Sequence, residues 1–257
     1  KSTKKLVIDE VDVMLDLGFR FQLTNIFELL PEKRQNTMFS ATMTDEIKEL
    51  IEAFFIAPIT ISIAVSGTPL ANIKQIAYPV QNFYTKANLL MHLLKDKDQF
   101  KKVLIFVSSK TNADRLFNAM DEKFGRELGV VHSNKSQNYR IKSIKRFDEG
   151  TNRILISTDV MARGLDLDEV SHVINMDTPN YPENYMHRIG RTGRAEKKGN
   201  SILLYTEKET QDKEKIETLM GTTIEKKKFP ESVAISNDLT PDERPKAKEL
   251  NIHAKKD

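Results

Sequence analysis

The chain has 257 residues, 39% hydrophobic and 30% charged, with 40 basic against 37 acidic side chains, five His and no Cys or Trp. At about 150 residues per domain this is one or two globular domains with room for a real core, and neither a disordered chain nor a disulfide-stapled one. The missing cysteines exclude disulfides, thiolate zinc sites and a cysteine nucleophile; no apolar run is long enough to span a bilayer, and no apolar signal segment opens the chain.

Short apolar runs alternate with helical patterns. Leu6-Val7-Ile8 reads as a strand running into acidic residues, and Thr37-Met38-Phe39 as a strand running into Ser40-Ala41-Thr42. Thr44 caps a helix with Asp45 and Glu46 in its first turn. Ile47, Leu50, Ile51, Phe54 and Phe55 make its apolar face, and Pro58 stops it. Ile59 to Ile63 reads as another strand. Residues 66–74, with Ser66-Gly67-Thr68-Pro69, read as a linker.

Beyond it the rhythm restarts. Strands are expected at Val103–Val107, Gly129–His132, Arg153–Thr158, His172–Met176 and Ser201–Tyr205. Helices are expected over Ala113–Met120, from Ser136 to Phe147, and over Tyr181–Ile189. Such alternation predicts an α/β fold, a parallel sheet covered on both faces. Residues 75–206 look complete. Residues 1–65 have only about three strands, fewer than a mean sheet of five or six, and read as the back half of a domain. The chain opens at Lys1 rather than Met, which reads as a start inside a longer protein. Residues 207–257 hold 11 basic and 12 acidic side chains and read as a loosely ordered, solvated tail.

In open parallel sheets ligands bind beyond the C-terminal strand ends, where this sequence repeatedly sets polar clusters. Asp9-Glu10 could hold Mg²⁺ through water and place a base beside an attacking water; a solvated acid pair is the plain alternative. In His187-Arg188-Ile189-Gly190-Arg191-Thr192-Gly193-Arg194, three Arg recur every third residue and would share one side of a helical turn. Planar guanidinium groups suit polyphosphate oxygens and developing negative charge. The two interleaved Gly suggest close backbone approach, since a merely solvated basic helix has no need of them. Thr158 to Asp166 adds two acids, an Arg and a Gly, a set that could meet a ribose and a phosphate. Gln137 and Arg140 sit near a helix start.

Taken together these segments resemble the DEAD-box ATP-dependent RNA helicases. Val7-Ile8-Asp9-Glu10-Val11-Asp12 is similar to motif II, with Val11 where the family has Ala. Ser40-Ala41-Thr42 matches motif III, Leu104-Ile105-Phe106 resembles motif IV, and Gln137-x-x-Arg140 motif IVa. Ser157–Asp166 matches motif V and His187–Arg194 motif VI, all in the family's order. Asn134–Gln137 and Glu196-Lys197-Lys198-Gly199 look most like the bacterial RhlE-type subgroup.

The resemblance implies two RecA-like domains, the first incomplete at its N-terminus, with ATP and RNA between them. It implies that Asp9 holds Mg²⁺ through water and that Glu10 orients or activates the hydrolytic water. Asp12 would bond to Ser40, Thr42 and His187, linking ATP state to closure. Arg191 and Arg194 would be arginine fingers on the γ-phosphate, and Asp166 would bind the ribose. Arg140, Thr158 and Gly164 would contact RNA phosphates, giving sequence-tolerant, salt-sensitive binding of single strands or short duplexes. A cytoplasmic location goes with the family. None of the ten Gly begins G-x-x-x-x-G-K-[ST], so the phosphate-cradling loop is expected in sequence preceding Lys1. The alternative reading is an RNA-binding module, without ATPase activity as it stands.

Overall fold

The computed structural model describes residues 2–16, 18–40, 42–62, 72–159, 170–193 and 198–244. The chain divides into two compact units, Lys1–Ser66 and Gly67–Asp257. No helix among the described residues is long and apolar enough to cross a membrane.

The first unit holds β1 (Lys5–Ile8), α1 (Val11–Asp16), α2 (Arg20–Leu29), β2 (Gln35–Met38) and α3 (Asp45–Phe54). β1 and β2 pair in parallel, Lys5 opposite Gln35 and Ile8 opposite Met38. Thr44 caps α3 as expected, its side chain accepting the Ile47 N–H at 3.4 Å. Ile47 and Leu50 then pack with Ile8, Val11, Leu15, Leu23 and Phe27, and Phe27 stacks on Phe54 with ring centroids 4.5 Å apart. The strand expected at Ile59–Ile63 does not form over 59–62. Ile59 is 90% and Ile61 83% exposed, because the described part of this unit's sheet ends at β1 and β2 and offers the segment no ladder. Among the described residues the unit thus has two strands rather than the expected three.

The second unit is built on seven parallel strands in the order β5-β6-β4-β7-β8-β3-β9. They are β3 (Ile73–Pro79), β4 (Val103–Phe106), β5 (Leu128–Val131), β6 (Ile154–Ser157), β7 (His172–Asn175), β8 (Gly199–Tyr205) and β9 (Glu225–Lys226). Every residue of β4, β5, β6 and β7 is buried, which is why these strands lack a polar–apolar alternation and why the buried polar groups of β6 and β7 fall only at their ends, at Ser157, His172 and Asn175. Their pleat still sorts them. Val103, Ile105, Ile154 and Ile156 face one layer with α4 (Phe83–Leu93) and α5 (Lys110–Phe124). Leu104, Phe106 and Leu155 face the other, with α6 (Gln137–Asp148), α7 (Pro182–Ile189) and α8 (Thr210–Met220).

Two boundary expectations need correction. The linker read at 66–74 ends earlier, because Ile73 and Lys74 already pair with Gly199 and Asn200 in the sheet; residues 66–71 lie outside the described residues. The supposed tail is folded as far as Arg244. Ile216 on α8 is fully buried, β9 extends the sheet beside β3, and Val233 joins the α4–α5 layer. The following segment is stitched to the start of α4: Asn82 Nδ2 donates to the Ser236 carbonyl at 2.6 Å, and the Phe83 N–H to Glu243 Oε1 at 2.7 Å. Three well-spaced anchors hold this stretch, so its charge hides them. Residues 245–257 lie outside the described residues.

Candidate functional sites

In the first unit, Asp9 and Glu10 follow the last residue of β1. The β1–β2 pairing continues past them, Phe39 N–H to the Ile8 carbonyl at 2.8 Å and Val11 N–H to the Phe39 carbonyl at 3.1 Å. Glu10 therefore bridges a strand end and a helix start with φ +51°, a left-handed conformation uncommon outside glycine that clusters at functional sites. Its N–H donates to Asp9 Oδ1 at 2.9 Å. Val11, the departure from the family's Ala, is fully buried in the unit's core, so its extra methyls fill apolar space.

Asp12 is buried, and Thr42 Oγ1 donates to its Oδ2 at 3.3 Å. The expected Asp12–Ser40 bond is not made; Ser40 Oγ accepts the N–H of Thr42 at 3.4 Å instead. Asp12 Oδ1 is buried with no hydrogen-bond partner, one acceptor left over in a polar corner. Ala41 lies outside the described residues.

Two carboxylates, the exposed Asp9 and the half-buried Glu10, are the donors beside β1, and no cluster of three His, Cys, Asp or Glu that could hold a metal exists among the described residues. Hard carboxylate oxygens fit Mg²⁺, which keeps several waters and shares its sphere with substrate phosphates. This donor set suits a water-mediated ion better than a protein cage.

In the second unit Thr158 and Arg140 lie just beyond C-terminal strand ends, where a parallel sheet presents its loops, whereas the turn that holds Arg191 packs toward the N-terminal strand ends, Thr192 Oγ1 donating to the Val170 carbonyl just before β7. Thr158 follows β6, and its carbonyl accepts Ser157 Oγ at 3.0 Å. Arg140 is one turn into α6, where its guanidinium bonds to Gln137 Oε1. That helix start is well fixed. Ser136 caps it through the Tyr139 N–H at 3.3 Å, while the preceding turn is tied to α5 by Asp114, which meets His132 Nε2 at 3.0 Å and Lys135 Nζ at 2.8 Å. Partial burial pushes the Asp114 carboxyl up, but the hydrogen bonds from Lys135 and His132 outweigh it and hold it below the usual carboxylate range. Gly164 and Asp166 lie outside the described residues.

α7 begins with Pro182 in its first turn, where a missing N–H costs nothing. It carries His187 and Arg188 and ends at Ile189, so the turn that follows holds Arg191. Arg191 Nε donates to the His187 carbonyl at 3.4 Å. Arg194 lies outside the described residues. The arginines do not share one environment as their spacing suggests. Arg188 is only 2% exposed and turned inward, whereas Arg191 stays half-buried, because the helix stops between them. Gly193 has its own structural reason: φ is +69°, and a Cβ would lie 2.8 Å from Ile73 Cγ1. Gly199 is tighter still, a Cβ there falling 2.6 Å from the Gly193 nitrogen.

Two ion pairs at these strand ends escape sequence reasoning. Arg188 pairs with Asp159. Lys86, almost fully buried on α4, donates to Glu209 Oε2 at 2.7 Å and to the Met176 carbonyl at 2.8 Å. Glu209 was legible: Thr206-x-x-Glu209 is a capping-box pattern, and the box is formed.

The DEAD/DEAH box helicase family matches residues 1–50, and the helicase conserved C-terminal domain matches residues 85–196. The DEAD-box ATP-dependent RNA helicase CshA of Bacillus cereus is 37% identical over 217 residues, 84% of this chain and 41% of that protein. Among solved structures, S. cerevisiae Dbp5 bound to RNA and ADP BeF3 aligns with TM-score 0.78 at 31% identity, over 88% of this chain and 59% of that one. E. coli SrmB bound to RraA aligns with TM-score 0.59 at 32% identity, over 65% of this chain and 97% of that one. The chain belongs to the DEAD-box helicase family, and its two units are RecA-like α/β units. It spans about two fifths of the length of the CshA relatives it matches.

Proposed function

We propose that this chain is the motif II-to-VI part of an ATP-dependent RNA helicase that grips RNA and parts short duplexes as it hydrolyses ATP. The observation that carries the reading is that Asp9-Glu10 and Thr158 each follow a C-terminal strand end, with Arg191 one turn beyond Arg188, the residue that pairs with Asp159 next to Thr158, in a chain of this family. Glu10 orients or activates the attacking water, and Asp9 holds Mg²⁺ through water. That ion, when bound, neutralises charge on the phosphates. Arg191 and Arg194 stabilise the charge that grows on the γ-phosphate oxygens as the β–γ bridge breaks. Asp166 takes the ribose, and Asp12, Ser40, Thr42 and His187 couple nucleotide state to RNA grip. Arg140, Thr158 and Gly164 hold RNA phosphates, a contact that carries no base information. The RhlE-type assignment rests on Asn134–Gln137 and on 196–199, of which Glu196 and Lys197 lie outside the described residues. A cytoplasmic location accompanies this reading.

The test is ATP turnover, with and without single-stranded RNA, by a protein joining this chain to a segment that bears G-x-x-x-x-G-K-[ST]. RNA stimulation that vanishes in Arg191→Ala supports the assignment; unchanged turnover removes Arg191 from catalysis. A second reading has a specific observation of its own, the absence of that loop from these 257 residues. The isolated chain is then an RNA-binding module. It binds RNA weakly, loses it steeply as salt rises and hydrolyses ATP no faster than background.

A further inference from the structure

Resting on that reading of Thr158 and Arg191, we propose that Arg188 is a positioning residue that couples RNA contact at Thr158 to the placement of Arg191. The geometry is specific. Arg188 Nε meets Asp159 Oδ1 at 2.5 Å and Nη2 meets Oδ2 at 2.7 Å, a two-pronged pair that only a planar guanidinium can make. Its remaining nitrogen, Nη1, donates to Asn175 Oδ1 at 3.2 Å and to the Asp177 carbonyl at 2.8 Å. The guanidinium carbon lies 5.2 Å from the centroid of the Phe106 ring.

Because β6, β4 and β7 are neighbours in that order, one buried side chain bridges the ends of β6 and β7 across the end of β4. Asp177 extends the tie to the loop after β4, its Oδ2 accepting the Ser108 N–H at 2.8 Å. Thr158 is bonded directly to Asp159 in the chain. Arg191 follows Arg188 by three residues, across the end of α7. A displacement of the β6 loop by RNA therefore reaches Arg191 through a rigid fork rather than a flexible chain. Burial keeps water and salt from loosening that fork. Nothing in this arrangement needs Arg188 to touch nucleotide or RNA.

The experiment uses the same ATPase-competent protein and reads a ratio: the Kd for a single-stranded RNA without nucleotide, over the Kd with a non-hydrolysable ATP analogue. A ratio is insensitive to a loss of folded protein, which a merely structural role would cause. Allosteric couplings run to roughly 5–150-fold. We expect a wild-type ratio in that range, and a ratio within about twofold of unity in Arg188→Lys and in Asp159→Asn, with the double variant no worse than either. Asp159→Asn keeps the shape and leaves the Arg188 bonds to Asn175 and Asp177, so it carries the test if Arg188→Lys does not fold. A wild-type ratio retained in folded variants overturns the coupling role alone. A wild type that binds no RNA, or shows no nucleotide effect on it, overturns the functional reading and this inference with it.

Discussion

The two units solve the same problem to different degrees. The second closes a seven-stranded sheet between two helical layers, and its four central strands are buried on both faces. The first pairs two strands and leaves Val7, Phe21, Leu29, Ile56, Ile59 and Ile61 more than half exposed. Parallel strands need cover on both faces, and an uncovered apolar surface of this kind is a site of association. The difference shows how little packing fixes the acidic corner after β1. Asp9, Glu10 and Asp12 are set by one β1–β2 crossover and seven buried side chains.

The largest effect bears on function. Arg191→Ala in the ATPase-competent protein lowers RNA-stimulated turnover by about 10³–10⁵-fold, the range of arginine fingers. Phosphate release measured on folded protein checks it. Next, Phe147→Ala empties a fully buried position and costs the second unit about 3–5 kcal/mol, read by urea unfolding. The matching change in the first unit, Phe21→Ser at a 71% exposed position, moves stability by no more than about 0.5 kcal/mol while reducing self-association in light scattering. If the two substitutions cost the same, the contrast between the units is wrong.

Acid sensitivity sharpens the contrast further. Burial holds His172 on β7 down to about 4, from an ordinary 6.5. Between those values the unfolded chain binds a proton that the folded chain refuses, so stability falls as pH drops from 6.5 to about 4. The loss over that window is on the order of a few kcal/mol. His172→Asn flattens the pH dependence of unfolding over that window, and the first unit has no part in it. Within the second unit the smallest effect is that of Tyr185→Phe. Its hydroxyl donates to Gln75 Oε1 at 3.0 Å, and removing it costs about 1 kcal/mol by the same urea titration.

The sequence was most legible where burial is total. The strands from Val103 to Tyr205 were readable because two-sided burial writes continuous aliphatic runs. Ile59–Ile63 had the composition of a strand, but composition does not supply a ladder partner. Ile216, Ile224 and Val233 fix the 207–244 segment from positions eight or nine apart, too far apart for any helical or strand period. At the sites, motif order singles out Thr158, Arg140 and Arg191, and the roles proposed for them rest on that order. The Arg188–Asp159 pair was not legible, since 29 residues separate partners that only the crossover between β6 and α7 brings together. Spacing grouped Arg188 with Arg191, and the helix end divides them.

One measurement tests the contrast most directly: amide hydrogen exchange of the 257-residue chain, with and without a single-stranded RNA. The account predicts that amides of β4, β6 and β7 exchange only through global unfolding of their unit, and those of β1 and β2 orders of magnitude faster. It predicts that RNA slows exchange around Ser108, Arg140 and Thr158. Equal protection of the two sheets, or RNA protection confined to residues 2–62, would contradict it.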